Sequence, residues 1–144
     1  MFRMIRELQT ESEIRQAYQV MRHLRTNLSE DDYMKLVKEA RELDGYRMMV
    51  LDHDGKIAVV AGFKPMITLY YGRFVWVCDL VTDPAIRSKG FGEALLKAVH
   101  QWAKDEGYER MALSSGLQRT EAHRFYEKKL NYERASYVFK HELI

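Results

Sequence analysis

One cysteine and two prolines are all that these 144 residues contain of either type. Cys78 stands alone, so no internal disulfide can form, which fits a reducing compartment. With so little proline and no Pro/Gly/Ser-rich stretch, nothing marks a linker, and a single domain over residues 1–144 is expected. No internal repeat and no low-complexity segment is present. An excess of one charge is missing too. The 23 Lys and Arg are set against 21 Asp and Glu, and the two signs are mixed along the chain. That mixing argues against a nucleic-acid-binding stripe, although the isoelectric point is near 8.6. No apolar run approaches the length of a membrane span. The opening "MFRMIRELQTESE" lacks the apolar stretch of a secretory signal, so a cytoplasmic protein without a membrane partner is expected. No His/Cys/Asp/Glu group has metal-ligand spacing, and no metal is expected.

Hydrophobic residues make up 47%, enough for a real core. "FRMIREL" reads as a short strand. Ile14, Ala17, Tyr18, Met21 and Leu24 recur at helical spacing. Ser29 and Asp32 form an S-x-x-D start signal for a second helix, with an apolar stripe of Tyr33, Leu36, Val37, Ala40 and Leu43. Two apolar runs flanking "DHDG" predict a hairpin. "RFVWVCDLVT" predicts a strand ended by Pro84, with Phe74, Trp76, Cys78 and Leu80 on one face and Val75, Val77, Asp79 and Val81 on the other. The next helix carries Phe91, Ala94, Leu95, Ala98, Val99 and Trp102 as one stripe. It has Glu93 and Lys97 paired on its wet side and Gly107 as a C-cap. "YERMALSS" predicts a strand, "TEAHRFYEKKL" a helix and "ASYVFKHEL" a closing strand. A meander followed by alternating helices and strands predicts an α/β or α+β sandwich around one sheet.

The segment "IRSKGFGEALL" places Arg87, Lys89, Gly90 and Gly92 where a helix begins. Helix N-termini offer unpartnered N–H groups and partial positive charge, and glycine lets the backbone approach a ligand closely. The combination suits a phosphate. It is not a P-loop, which needs G-x-x-x-x-G-K-[ST], nor a dinucleotide fingerprint, because Leu95 stands where a third glycine is required. The pattern is R-x-x-G-x-G, from Arg87 to Gly92.

With its surroundings, "DLVTDPAIRSKGFGEALLKAVHQWAKDEGYERMALSSGLQRTEAHRFYEKKLNY" resembles the Gcn5-related N-acetyltransferase (GNAT) family from about Asp79 to Tyr132. The resemblance implies a mixed, mostly antiparallel central sheet of six to seven strands with about four helices. It implies acetyl-CoA as cosubstrate, with the pyrophosphate held by the loop of Arg87, Ser88, Lys89, Gly90, Phe91 and Gly92. It implies pantetheine lying like an extra strand along Leu80, Val81 and Thr82, where a strand N–H polarises the thioester carbonyl. Tyr126 stands where the family's usual proton donor to the departing thiolate stands. Read by spacing alone, it is a core aromatic beside Ala122 and Phe125. Where many members have an asparagine after the fifth strand, this chain has Ser114 and Ser115, and Ser115 is expected to supply part of the pantetheine contact. Where many have a glutamate base on the fourth strand, Cys78 stands here, followed by Asp79. By alternation Asp79 faces away from Cys78. An ordered-water relay, with Asp79 as a weak base, is therefore expected.

The implied activity is acetyl transfer to a primary amine of a small molecule, peptide or protein by direct attack in a ternary complex. The alternative is a catalytically silent acyl-CoA-binding sensor. A homodimer is compatible with either. Glu30, Asp31 and Asp32, in the stretch expected to wall the acceptor site, read as ordinary helix-start acids. His123 reads as a satisfied structural histidine, His53 as a solvated turn residue, His100 as a wet-face residue and Cys78 as a small core residue.

Overall fold

The computed structural model describes residues 3–87 and 89–144; Met1, Phe2 and Ser88 lie outside the described residues. Asp54 and Gly55 have φ of +51° and +82°. Two successive positive dihedrals are what a two-residue type I′ turn requires. They join β2 (Arg47–His53) to β3 (Lys56–Thr68) as the "DHDG" signal predicts. β1 (Arg3–Glu7) lies antiparallel to β2, and β4 (Gly72–Thr82) antiparallel to β3. β5 (Met111–Leu113) runs parallel to β4, giving the order β1-β2-β3-β4-β5.

The mixed, mostly antiparallel sheet is thus the expected one, with five strands among the described residues rather than six to seven. The expected closing strand "ASYVFKHEL" is not formed: residues 131–144 carry no helix or strand. A strand exists through its ladder, and alternation without a neighbour does not make one.

α1 (Glu11–Met21) starts at a Thr10/Glu13 capping box. α2 (Glu30–Asp44) starts at Ser29, whose Oγ accepts the Asp32 N–H at 3.1 Å. Its buried residues are Tyr33 and Val37; the expected stripe members Leu36 and Leu43 are exposed. Ile14, Ala17, Val20 and Met21 pack with these two, with Met48, Val50 and Val60, and with Val81 of β4.

The other sheet face belongs to α3 (Phe91–Asp105), where the Trp102 ring lies 5.0 Å from Phe63. Its Glu93–Lys97 pair forms at 2.9 Å, and the helix ends at Glu106, one residue before Gly107. The chain divides into two compact units at Leu113/Ser114. In the second, α4 (Thr120–Arg124) runs on into a wider π-type turn over Phe125–Lys129.

Candidate active site

The strand β4 is regular until Val77. Gly62 pairs with Asp79 and Phe63 with Val77, so one step on β3 matches two on β4, and Cys78 is the extra residue of a bulge. The ladder with β5 ends at the same place, its last pair being Val77 with Leu113. From Cys78 to Thr82, β4 therefore bonds to β3 and has no strand on its other side among the described residues.

The bulge corrects the expected alternation. Val77 stays opposite Phe63, on the α3 face. Cys78 packs against the cluster under α1 and α2, and Asp79 bonds to Tyr46 of that same cluster. Asp79 does not face away from Cys78, because the surplus residue resets the period of two.

The Asp79 carboxylate is held from two directions. Tyr46 Oη donates to Oδ2 at 2.7 Å. Arg25, in the connector between α1 and α2, donates from Nε to Oδ1 at 2.9 Å, and its Nη2 donates to the Cys78 carbonyl at 2.8 Å. Burial first, and the Asp79 charge second, hold the Tyr46 phenol well above the usual tyrosine range. The same two causes push the Cys78 thiol up to about 11, so it is a poor nucleophile at neutral pH. Gly62 makes the arrangement fit, since a Cβ there would fall on the Tyr46 hydroxyl and 2.8 Å from Asp79 Oδ2.

Thr82 ends the strand. The Asp83 N–H donates to the Ala58 carbonyl, and Asp83 Oδ1 caps a short 3₁₀ turn over Pro84–Ile86. Arg87, Lys89 and Gly90 are exposed. Gly90 stands at φ +77°, a left-handed conformation that costs glycine little, and begins α3 with no side-chain cap. The first N–H groups of α3 consequently face the loop without the side-chain oxygen that usually covers such a terminus. Phe91 is buried, and its ring lies 4.8 Å from His53, which is thereby a packed residue and not a solvated one. His100 is half-buried rather than on a wet face.

Leu80, Val81, Thr82, Arg87, Lys89, Gly90, Phe91 and Gly92 thus lie along one path, from the free edge of β4 to the first turn of α3; Ser88 is outside the described residues. Tyr126 and Ser115 belong to the second unit. Tyr126 is buried within the π-type turn, its ring 5.7 Å from Tyr132, and burial raises its pKa against a smaller opposing effect of Arg119. Ser115 Oγ is buried with no hydrogen-bond partner. His123 Nε2 is 2.8 Å from the Gly116 carbonyl, as suits a structural histidine.

The chain belongs to the acetyltransferase (GNAT) family, whose model matches residues 6–132. A Bacillus subtilis relative, the uncharacterized N-acetyltransferase YhdJ, is 34% identical over 136 residues, which cover 94% of this chain and 96% of that one. Among solved structures, the aminoglycoside N-acetyltransferase AAC(6')-Iy in complex with CoA matches with a TM-score of 0.86 at 16% identity, covering 99% of this chain and 96% of that one. A transcriptional regulator from Bacillus halodurans matches with a TM-score of 0.82 at 23% identity, covering 98% and 99%. These two likenesses bear on the fold. Family membership makes this chain an N-acetyltransferase, an enzyme class that draws its acetyl group from acetyl-CoA. Among the described residues no cluster could hold a metal, and no helix is long and apolar enough to cross a membrane.

Arg25, Tyr46 and Gly62 were not visible as site residues in the sequence. Their only local signal is a polar or small residue beside apolar runs, which many surface positions share.

Proposed function

We propose that the chain transfers the acetyl group of acetyl-CoA to a primary amine by direct attack in a ternary complex. The observation that carries this reading is the parting of β4 from its neighbour at Val77, with the free edge leading straight to the uncapped start of α3. The residues suit the cosubstrate. An extended amide-bearing arm fits the edge of Leu80, Val81 and Thr82 that faces away from β3, where no strand pairs among the described residues, and a pyrophosphate fits the N–H groups from Arg87 to Gly92. Ser115, with its buried and unpartnered hydroxyl, is a candidate second contact for the arm. When bound, acetyl-CoA supplies an activated acyl group; the protein's part is to orient it, polarise its carbonyl and move protons.

Tyr126 is assigned the proton for the departing thiolate, on the family's pattern. A tyrosine is protonated at neutral pH, as a donor must be, and burial shifts Tyr126 further in that direction. Asp79 has both oxygens engaged by Tyr46 and Arg25, which favours a role in fixing the acceptor side over that of an unencumbered base. Ordered water then carries the amine's proton away. The connector bearing Arg25 and the first turn of α2 with Glu30, Asp31 and Asp32 wall the acceptor, a small-molecule or peptide amine. A single cysteine, which has no partner for an internal disulfide, suits a cytoplasmic setting.

Free-thiol release from acetyl-CoA, measured across a panel of amines, amino acids and peptides, tests the reading. Acceleration by at least one amine supports the transferase. Tight CoA binding with slow hydrolysis that no amine accelerates would instead mark a silent sensor.

A further inference from the structure

Arg25 reaches β4 at the Cys78 bulge, where the ladder with β5 has just ended. Its Nε donates to Asp79 Oδ1 at 2.9 Å. Its Nη2 lies 2.8 Å from the same oxygen and donates to the Cys78 carbonyl at 2.8 Å. Three of the five N–H groups of the guanidinium are thereby used. The two on Nη1 bond to nothing among the described residues, and 46% of the side chain is open to solvent.

A guanidinium fixed in this way is a receptor for an anion. Its plane is already held, so little rotamer freedom remains to be lost when a ligand bonds to it. The charge around it has the same sign. Residues 22–29 include Arg22, His23 and Arg25 and no Asp or Glu, and all three of these side chains are exposed. The neighbouring acids are engaged. Asp79 is bonded by Arg25 and Tyr46, and Glu30 pairs with Arg15 at 2.9 Å. Asp31 and Asp32 stand in the first turn of α2, where they answer its dipole. An ammonium arriving at Asp79 would meet two oxygens that already accept donors and a cation beside them.

We infer that Arg25 receives a carboxylate of the acceptor. The amine that is acetylated then belongs to a molecule carrying both groups, an amino acid or a short peptide with a free C-terminus, and not to a polyamine. This rests on the acetyl-transfer reading for the place of the reacting amine. The carboxylate fixes the end of the molecule that does not react, and it is bonded equally before and during the transfer. Its loss should therefore raise KM more than it lowers kcat. Arg25 is a specificity-determining residue on this view and takes no part in moving protons.

Thiol release from acetyl-CoA is compared for matched acceptors: glycine, β-alanine, leucine, lysine and diglycine, each against its carboxamide, with spermidine beside them. The carboxamide's amine is the more readily deprotonated of each pair, so a preference for the acid is not one of intrinsic reactivity. In the wild type at least one acid should exceed its carboxamide in kcat/KM by about 10- to 100-fold, the worth of a hydrogen bond to a charged group. In Arg25→Gln the ratio should fall to near one. If that variant fails to fold, Arg25→Lys replaces it. Its one ammonium is held by Asp79 and the Cys78 carbonyl, and the ratio should again fall. No pair favouring the acid, spermidine accepted as well as the best acid, or an unchanged ratio in a folded Arg25 variant overturns the inference. If no amine at all is acetylated, the N-acetylated acids and their carboxamides are titrated into the CoA-bound protein. Tighter binding of the acids that Arg25→Gln or Arg25→Lys weakens keeps the carboxylate site and removes the transferase reading; equal binding of acids and carboxamides overturns the site as well.

Discussion

Gly62 has an ordinary negative-φ backbone, and its importance is one of space. A methyl group at this position would meet the Tyr46 hydroxyl and the Asp79 carboxylate at once. Gly62→Ala should destabilise the protein by about 1–3 kcal/mol, the range for overpacking a filled site, read as a shift in the urea midpoint. Tyr126→Phe keeps the ring and its packing but deletes the proton. CoA affinity should stay near wild type in calorimetry, while kcat falls about 10²–10⁴-fold, the worth of a positioned acid; activity close to wild type would make Tyr126 a core aromatic. Asp79→Asn discriminates a base from a structural anion. With its carboxylate already holding Arg25 and Tyr46, the variant should lose less than about tenfold in kcat at high pH, where free amine is abundant. A loss of about 10³-fold at every pH, with the acidic limb of the kcat/KM profile gone, would establish a dedicated base.

At the level of elements, α3 supplies the sharpest test. Gly92 lies in its first turn, where on the proposed reading the backbone comes close to phosphate oxygens. Gly92→Val should leave the circular dichroism spectrum intact and abolish measurable CoA binding in calorimetry; unchanged affinity would remove the loop from the site. α3 was also among the elements most legible in the sequence, because Phe91, Leu95 and Val99 repeat at helical spacing and Gly90 and Gly92 announce the start. Ser29 and the Asp54–Gly55 turn were legible for the same reason: each acts through its own backbone within a few residues. The face of Asp79 was not. It depends on a register shift against β3, which the residues of β4 alone do not encode. Arg25 and Tyr46 reach Asp79 across 54 and 33 positions, and no periodicity records such a meeting. The last strand misled in the opposite sense. The pattern of "ASYVFKHEL" states what the segment can do, while the neighbour it needs is not written in the same stretch.

For the molecule as a whole, His100 sets part of the response to acid. Burial first and Lys97 second hold its pKa below the ordinary 6.5. Between that lowered value and about 6.5, the unfolded chain binds more protons than the folded one, so stability rises with pH through this window. The contribution is complete above about 6.5 and is lost as pH falls from there toward the folded value. Urea midpoints for the wild type should therefore drop between pH 7 and pH 5, and His100→Gln should show a shallower drop over the same interval. An identical pH dependence in the two proteins would mean that the histidine is as easily protonated folded as unfolded.

The bulge at Cys78 can also be regarded as a difference in length. β3 and β4 are fastened together along their course like the two metals of a thermostat strip, and over one stretch β4 has a residue more than its partner. Fastened strips of unequal length relieve the mismatch by curving. Here a single surplus residue falls at the point where the ladder with β5 stops, and bulges of this kind bend a strand, so the opening proposed for an extended guest is a matter of arithmetic in the chain rather than of any one side chain. The identity of residue 78 is then free to drift, and a cysteine serves, provided the count is kept.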